Sequence, residues 1–261
     1  MAAQKPKILC LHGAGTNATI FRIQNRYLSS LLSPHFELVY IEGFHPCPAG
    51  PGVLPFFEGI EPYYKWLPDT NILNSSPGAL ENLDGNGKVV VQESLHWEDL
   101  PRLVSEYNKQ GEVVGILGFS QGAKVGFHLA RYLQRHQPGK IKFFVAICGT
   151  SPFQGVGAVS PPEEETDPRA ELVQQSLTGD AKAGLGRVKG VMNIHVIGAQ
   201  DKWRKESEGL VEFFEKDDHK RKVVRFGGGH QCPPEDKVNK EIVGYILEAL
   251  KGGEEWDDGV F

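Results

Sequence analysis

Short apolar runs alternate with amphipathic stretches along most of the chain, and this rhythm limits the fold more than any other feature. The runs are Ile8–Leu11, Leu38–Ile41, Val113–Leu117, Phe143–Ile147, Ile194–Ile197 and Val223–Phe226. They are bounded by Gly, Pro, His or Asp, and most are rich in Val, Ile and Phe. Runs without polar alternation read as strands buried on both faces, as in a parallel sheet. Helical patterns recur between them, over Ile20–Leu32, Gln121–Arg135, Trp203–Phe214 and Glu235–Leu250. In the second of these, Ala123, Val125, Phe127, Leu129, Ala130 and Leu133 supply a wide apolar face. Parallel strands need crossovers, and helices supply them on both sides of the sheet. The expected fold is therefore α/β, a mostly parallel sheet of about six strands with helices on both faces.

The 261 residues suit one domain spanning 1–261. Two insertions break the rhythm, at about 43–91 and 150–188. The first is rich in Pro and Gly and carries Phe56, Phe57, Tyr63, Tyr64 and Trp66; the second carries Glu163-Glu164-Glu165. Long segments of this kind in a compact domain are usually lids or binding loops, so a long lid-like loop is expected.

Composition removes several functional classes. A chain that is 40% hydrophobic and 23% charged has the balance of a soluble globular protein. A net charge of −5 argues against nucleic acid as the partner. No apolar run approaches membrane-spanning length, and the four apolar residues Ile8–Leu11 are too few for a signal-peptide core. Cys10, Cys47, Cys148 and Cys232 form no C-x-x-C pair. They suggest reduced thiols in a cytoplasmic setting. There is no H-E-x-x-H and no Cys/His cluster at zinc spacing, so neither metal nor cofactor is expected.

The chemistry centres on Gly118-Phe119-Ser120-Gln121-Gly122. This is G-x-S-x-G between a strand and a helix, a turn that lifts a serine to its apex. The residues two before and two after the serine must be small, or their side chains would collide in the turn. A serine hydroxyl needs a base to take its proton and a third group to orient that base. Two strand ends offer them. Ile194–Ile197 runs through Gly198-Ala199-Gln200 to Asp201, and Val223–Phe226 runs through three glycines to His230. Asp201 is alternatively the cap of the helix that follows. Asp180, Asp217 and Asp218 are rival acids away from strand ends, His195 reads as a core residue and His219 as part of a solvated charged turn.

An oxyanion hole needs two backbone N–H groups. Gln121, directly after the serine, is the expected first donor. Ala14 in His12-Gly13-Ala14-Gly15 is the expected second, with His12 structural. If the first strand lies beside the strand of Ser120, these groups meet where strand order reverses, the usual ligand position in open α/β sheets.

LHGAGTN at 11–17, the loop from Gly43 with Pro46, Pro48 and Gly50-Pro51-Gly52, PYYKW at 62–66, GFSQGA at 118–123, GAQD at 198–201 and GGGH at 227–230 together resemble the fungal serine hydrolase family of α/β hydrolases. That family includes polyketide-releasing thioesterases and relatives of a human candidate tumour-suppressor hydrolase. The resemblance runs over nearly the whole chain. It implies an α/β-hydrolase fold, a Ser120–Asp201–His230 triad and hydrolysis of esters or thioesters. The leading expectation is a thioesterase that frees a polyketide or fatty acyl chain from an acyl carrier protein. The alternatives are a carboxylesterase on short or medium acyl esters and a non-catalytic binding module. Phe56, Phe57, Tyr63, Tyr64 and Trp66 either wall an acyl pocket or anchor the first insertion to the body. Lys202, Arg204 and Lys205 either meet an acidic carrier or form a solvated helix start.

Overall fold

A computed structural model describes residues 4–67, 69–70, 92–93, 99–150 and 187–251. The elements run β1 (Lys7–Leu11), α1 (Ala18–Gln24), α2 (Arg26–Leu32), β2 (Glu37–Ile41), β3 (His45–Cys47), β4 (Tyr63–Lys65), β5 (Asp69–Thr70) and β6 (Gln92–Glu93). They continue with α3 (Asp99–Lys109), β7 (Val113–Phe119), α4 (Gln121–His136), β8 (Phe143–Ile147), β9 (Met192–Gly198), α5 (Arg204–Val211), β10 (Arg221–Phe226) and α6 (Asp236–Lys251). The Glu163–Glu165 run, Asp180 and most of the second insertion lie outside the described residues.

Six strands form one sheet in the order β10-β9-β8-β7-β1-β2, and every pairing in it is parallel. The central strands β7, β8 and β9 are buried along their whole length, whereas the edge strands β2 and β10 alternate or lie half exposed. The pleat sends alternate residues to opposite faces. Leu9 and Leu11 of β1 join Phe144 and Ala146 of β8 in a core with residues of α3, α4 and α5. Ile8 and Cys10 join Phe143, Val145 and Ile147 in a second core with α2 and α6. The result is an α/β sandwich of helix, sheet and helix, as the apolar runs predict.

One helix differs from expectation. The pattern over Ile20–Leu32 divides into α1 and α2 at Asn25, whose ψ of 10° leaves the helical range. Asn25 is buried, and its amide turns to donate to the Tyr40 hydroxyl at 3.4 Å.

β1 and β7 are adjacent, and the chain leaves them in opposite directions across the sheet. The loops after their C-terminal ends therefore face each other at the reversal of strand order.

Candidate active site

Ser120 sits between β7 and α4 with φ 53° and ψ −119°, a conformation that side chains rarely adopt. The sequence makes the turn possible by sparing volume on either side. A Cβ on Gly122 would stand 2.1 Å from the Leu11 carbonyl oxygen, and one on Gly118 would stand 2.5 Å from the Ala123 backbone. The Ser120 amide is fixed by the Ile147 carbonyl at 3.0 Å.

His230 and Asp201 reach the serine from the ends of β10 and β9. The imidazole Nε2 lies 2.9 Å from Ser120 Oγ, and Nδ1 lies 2.8 Å from Asp201 Oδ2. Asp201 has no side-chain exposure, while His230 is partly open. The two loops are bonded to each other, with the Ala199 amide donating to the Phe226 carbonyl and the Gln200 amide to that of Gly228. Asp201 is not the cap of the helix that follows, since Trp203 holds that position; its Oδ1 instead accepts the Trp203 amide at 2.8 Å just before α5. One carboxylate thus serves both the ring and the helix entrance.

Two aromatic rings brace His230. The Trp203 ring is 4.5 Å and the Phe119 ring 5.1 Å from the imidazole, centroid to centroid. The sequence reading missed both. Phe119 occupies a free position of the serine motif, and Trp203 follows the acid by two residues, so neither spacing marks it. Lys202 lies over the Trp203 ring at 4.0 Å, and Lys202, Arg204 and Lys205 are exposed.

The loop after β1 approaches the same point. A Cβ on Gly13 would lie 3.3 Å from Ser120 Cβ. His12 is fully buried and holds this loop. Its Nε2 accepts the Gly43 amide at 2.8 Å, which puts the proton on Nδ1, 2.8 Å from the Gly13 carbonyl. Burial lowers its pKa to about 4, so the ring is neutral. Ala14 is half buried while its neighbours from Leu11 to Asn17 are buried. Gly15, at φ 72°, donates to the Tyr64 carbonyl at 2.9 Å and accepts from the Gly50 amide at 2.9 Å. Asn17 caps α1 through Ile20 and also donates to the Ile60 and Pro62 carbonyls.

The five aromatics of the first insertion do not share one environment. Trp66 is 1% exposed; its indole donates to the His12 carbonyl at 2.7 Å and its amide to Gln121 Oε1 at 2.8 Å. Tyr63 is buried with Ile20 and Val53, and Phe57 packs on that group. Tyr64 is half buried and its backbone pairs with Thr16. Phe56 is 84% exposed. Trp66 and Tyr63 therefore tie the insertion to the body, whereas Phe56 is exposed among the described residues. His96 and Trp97 lie outside the described residues.

Among the described residues, Cys148, Asp201 and His230 are a group of metal-type donors, with ligand atoms within 4.8 Å of one another. Two of the three are already joined by the 2.8 Å hydrogen bond. Burial, followed by the charge of Asp201, pushes the Cys148 thiol up to about 12, so the sulfur stays protonated. No helix among the described residues is long and apolar enough to cross a membrane.

Comparison with known proteins agrees with this geometry. The chain is 30% identical to Thioesterase FSL2 of Gibberella zeae over 245 residues, covering 93% of this chain and 91% of the relative. It is 32% identical to Esterase FUS5 of Gibberella moniliformis over 243 residues, covering 93% and 86%. In fold it is similar to the crystal structure of esterase PE8, with TM-score 0.54, 17% identity and coverage of 95% and 94%. A carboxylesterase from Mesorhizobium loti is similar too, with TM-score 0.53, 13% identity and coverage of 94% and 90%. The family described as "Serine hydrolase (FSH1)" matches residues 1–242. The chain belongs to the FSH1 serine hydrolase family.

Proposed function

We propose that this serine hydrolase cleaves acyl thioesters and releases a polyketide or fatty acyl chain from a carrier protein. The observation that carries the reading is the unbroken series Ser120 Oγ, His230 and Asp201, at 2.9 and 2.8 Å. The thioester preference is supported by the similarity to a relative named a thioesterase. A carboxylesterase acting on short or medium esters is the second reading, favoured by the relatives named esterases.

In the proposed cycle His230 takes the proton of Ser120, which attacks the acyl carbonyl. Asp201 holds the imidazole in the Nδ1–H tautomer and stabilises its cation. The oxyanion rests on the amides of Gln121 and Ala14. Two facts support that pair. Gln121 directly follows Ser120 and opens α4, so its amide lies next to the nucleophile. The Gly15 amide is engaged by the Tyr64 carbonyl, so the donor from this loop is assigned to the preceding residue, Ala14. The leaving alkoxide or thiolate takes the proton from His230, the thiolate needing it less in order to depart. Water activated by the same ring then cleaves the acyl-enzyme. The chain is read as one domain with two insertions, and its free cysteines suit a cytoplasmic setting.

A fluorophosphonate probe tests the nucleophile: it should label the protein and fail on Ser120→Ala. Matched acyl-pantetheine thioesters and oxygen esters then separate the two readings. Faster turnover of the oxygen esters at every chain length would replace the thioesterase with the carboxylesterase.

A further inference from the structure

Cys148 follows β8 and is buried. Its φ is 45°, and among the described residues the only other positive φ outside glycine is at Ser120. A non-glycine residue held there costs energy, and such outliers persist where the surroundings over-determine them. The surroundings here are the parts of the site. The Cys148 amide donates to the Val196 carbonyl at 2.8 Å, and the preceding Ile147 carbonyl receives the Ser120 amide at 3.0 Å. The side chain points the other way, into the histidine loop. Sγ lies 3.7 Å from the Gly229 carbonyl and 3.5 Å from the Gln231 carbonyl, the carbonyls of the residues before and after His230. It also lies within 4.8 Å of the donor atoms of His230 and Asp201. Gly229 is also approached by β9, where a Cβ on Gly198 would stand 2.4 Å from its carbonyl oxygen.

We infer that Cys148 is a positioning residue: its thiol clamps the carbonyls on both sides of His230 and so fixes the ring between Ser120 and Asp201. A thiol suits the task. It is a weak donor that the two carbonyls can share. The end of β8 then sets the nucleophile through Ile147 and the base through Cys148, so one strand terminus fixes both ends of the 2.9 Å contact.

The inference rests on the triad reading, and the experiment separates the two. Cys148→Ser keeps a donor. Cys148→Ala removes it. Cys148→Gly removes it while relieving the positive φ, so it remains informative where the alanine variant fails to fold. With p-nitrophenyl butyrate, the alanine and glycine variants should lose about five- to tenfold in kcat at unchanged KM, the worth of one net hydrogen bond. Serine should restore most of the rate. In the resting protein the low-field proton resonance of His230 Nδ1–H should be sharp in the wild type and serine variant and broadened in the other two. Wild-type kcat and a sharp resonance in the alanine and glycine variants would overturn the inference. So would a serine variant as impaired as alanine. A wild-type protein that no fluorophosphonate labels would instead end the triad reading, while the resonance would still decide the role of Cys148.

Discussion

Trp203 and His230 stand ring against ring at 4.5 Å, and the Trp203 amide donates to the carboxylate that holds the same imidazole. The indole limits how far the ring can swing away from Ser120. An aromatic contact of this kind is worth about 1 kcal/mol. Trp203→Ala should lower kcat about fivefold and leave the amide-to-Asp201 bond in place. Trp203→Phe should recover most of that loss. Steady-state kinetics of both variants on one ester substrate check this.

Asp201→Asn keeps an oxygen for the Trp203 amide and removes the charge that selects the Nδ1–H tautomer. Activity should fall by about ten-thousand-fold. The melting temperature should change little, because the carboxamide fills the same space. A variant that melts early but turns over normally would show that the carboxylate serves only the entrance to α5.

Gly15 and Gly52 separate two costs. Both have positive φ, 72° and 76°, but a Cβ on Gly15 would meet the Gly50 amide nitrogen at 2.1 Å while one on Gly52 would meet nothing within 4 Å. Alanine at Gly52 should cost about 1–2 kcal/mol from conformation alone. Alanine at Gly15 should cost more in urea denaturation and should also depress kcat, because the clash is between backbones and pushes on the loop beside Ser120.

Acid should destabilise the fold through two buried histidines. Burial lowers His12 to about 4 and His195 to about 3, from an ordinary value of 6.5. The unfolded chain takes up these protons first, so the stabilisation is complete above pH 6.5 and is lost as pH falls toward 4 and then 3. Holding His12 neutral over that interval is worth about 3 kcal/mol. Urea midpoints should fall steeply between pH 6.5 and 4. His195→Leu should flatten the slope, since its Nε2 has the Asn193 carboxamide oxygen as partner at 3.3 Å while its Nδ1 has none.

The sheet was legible because its strands are buried on both faces, and continuous apolar runs such as Val113–Leu117 leave few other readings. The positions of Ser120, Asp201 and His230 were legible because each ends a strand in a turn rich in small residues. Phe119, Trp203 and Cys148 were not, because their importance comes from what the fold brings beside them. Cys148 is separated from Gly229 by 81 positions in the chain. Aromatic residues in a Pro-rich loop look alike in sequence whether they line a pocket or fasten a strap, and only burial and bonding distinguish Trp66 from Phe56.

The seam between the loop after β1 and the first insertion has an evolutionary consequence. Gly15 is sewn to Gly50 and Tyr64, and Trp66 is sewn to His12 and Gln121. Exchanging residues 43–67 between relatives would therefore also shift the backbone loop beside Ser120, along with any change of appetite. In such a chimera, selectivity and catalytic vigour would be inherited together.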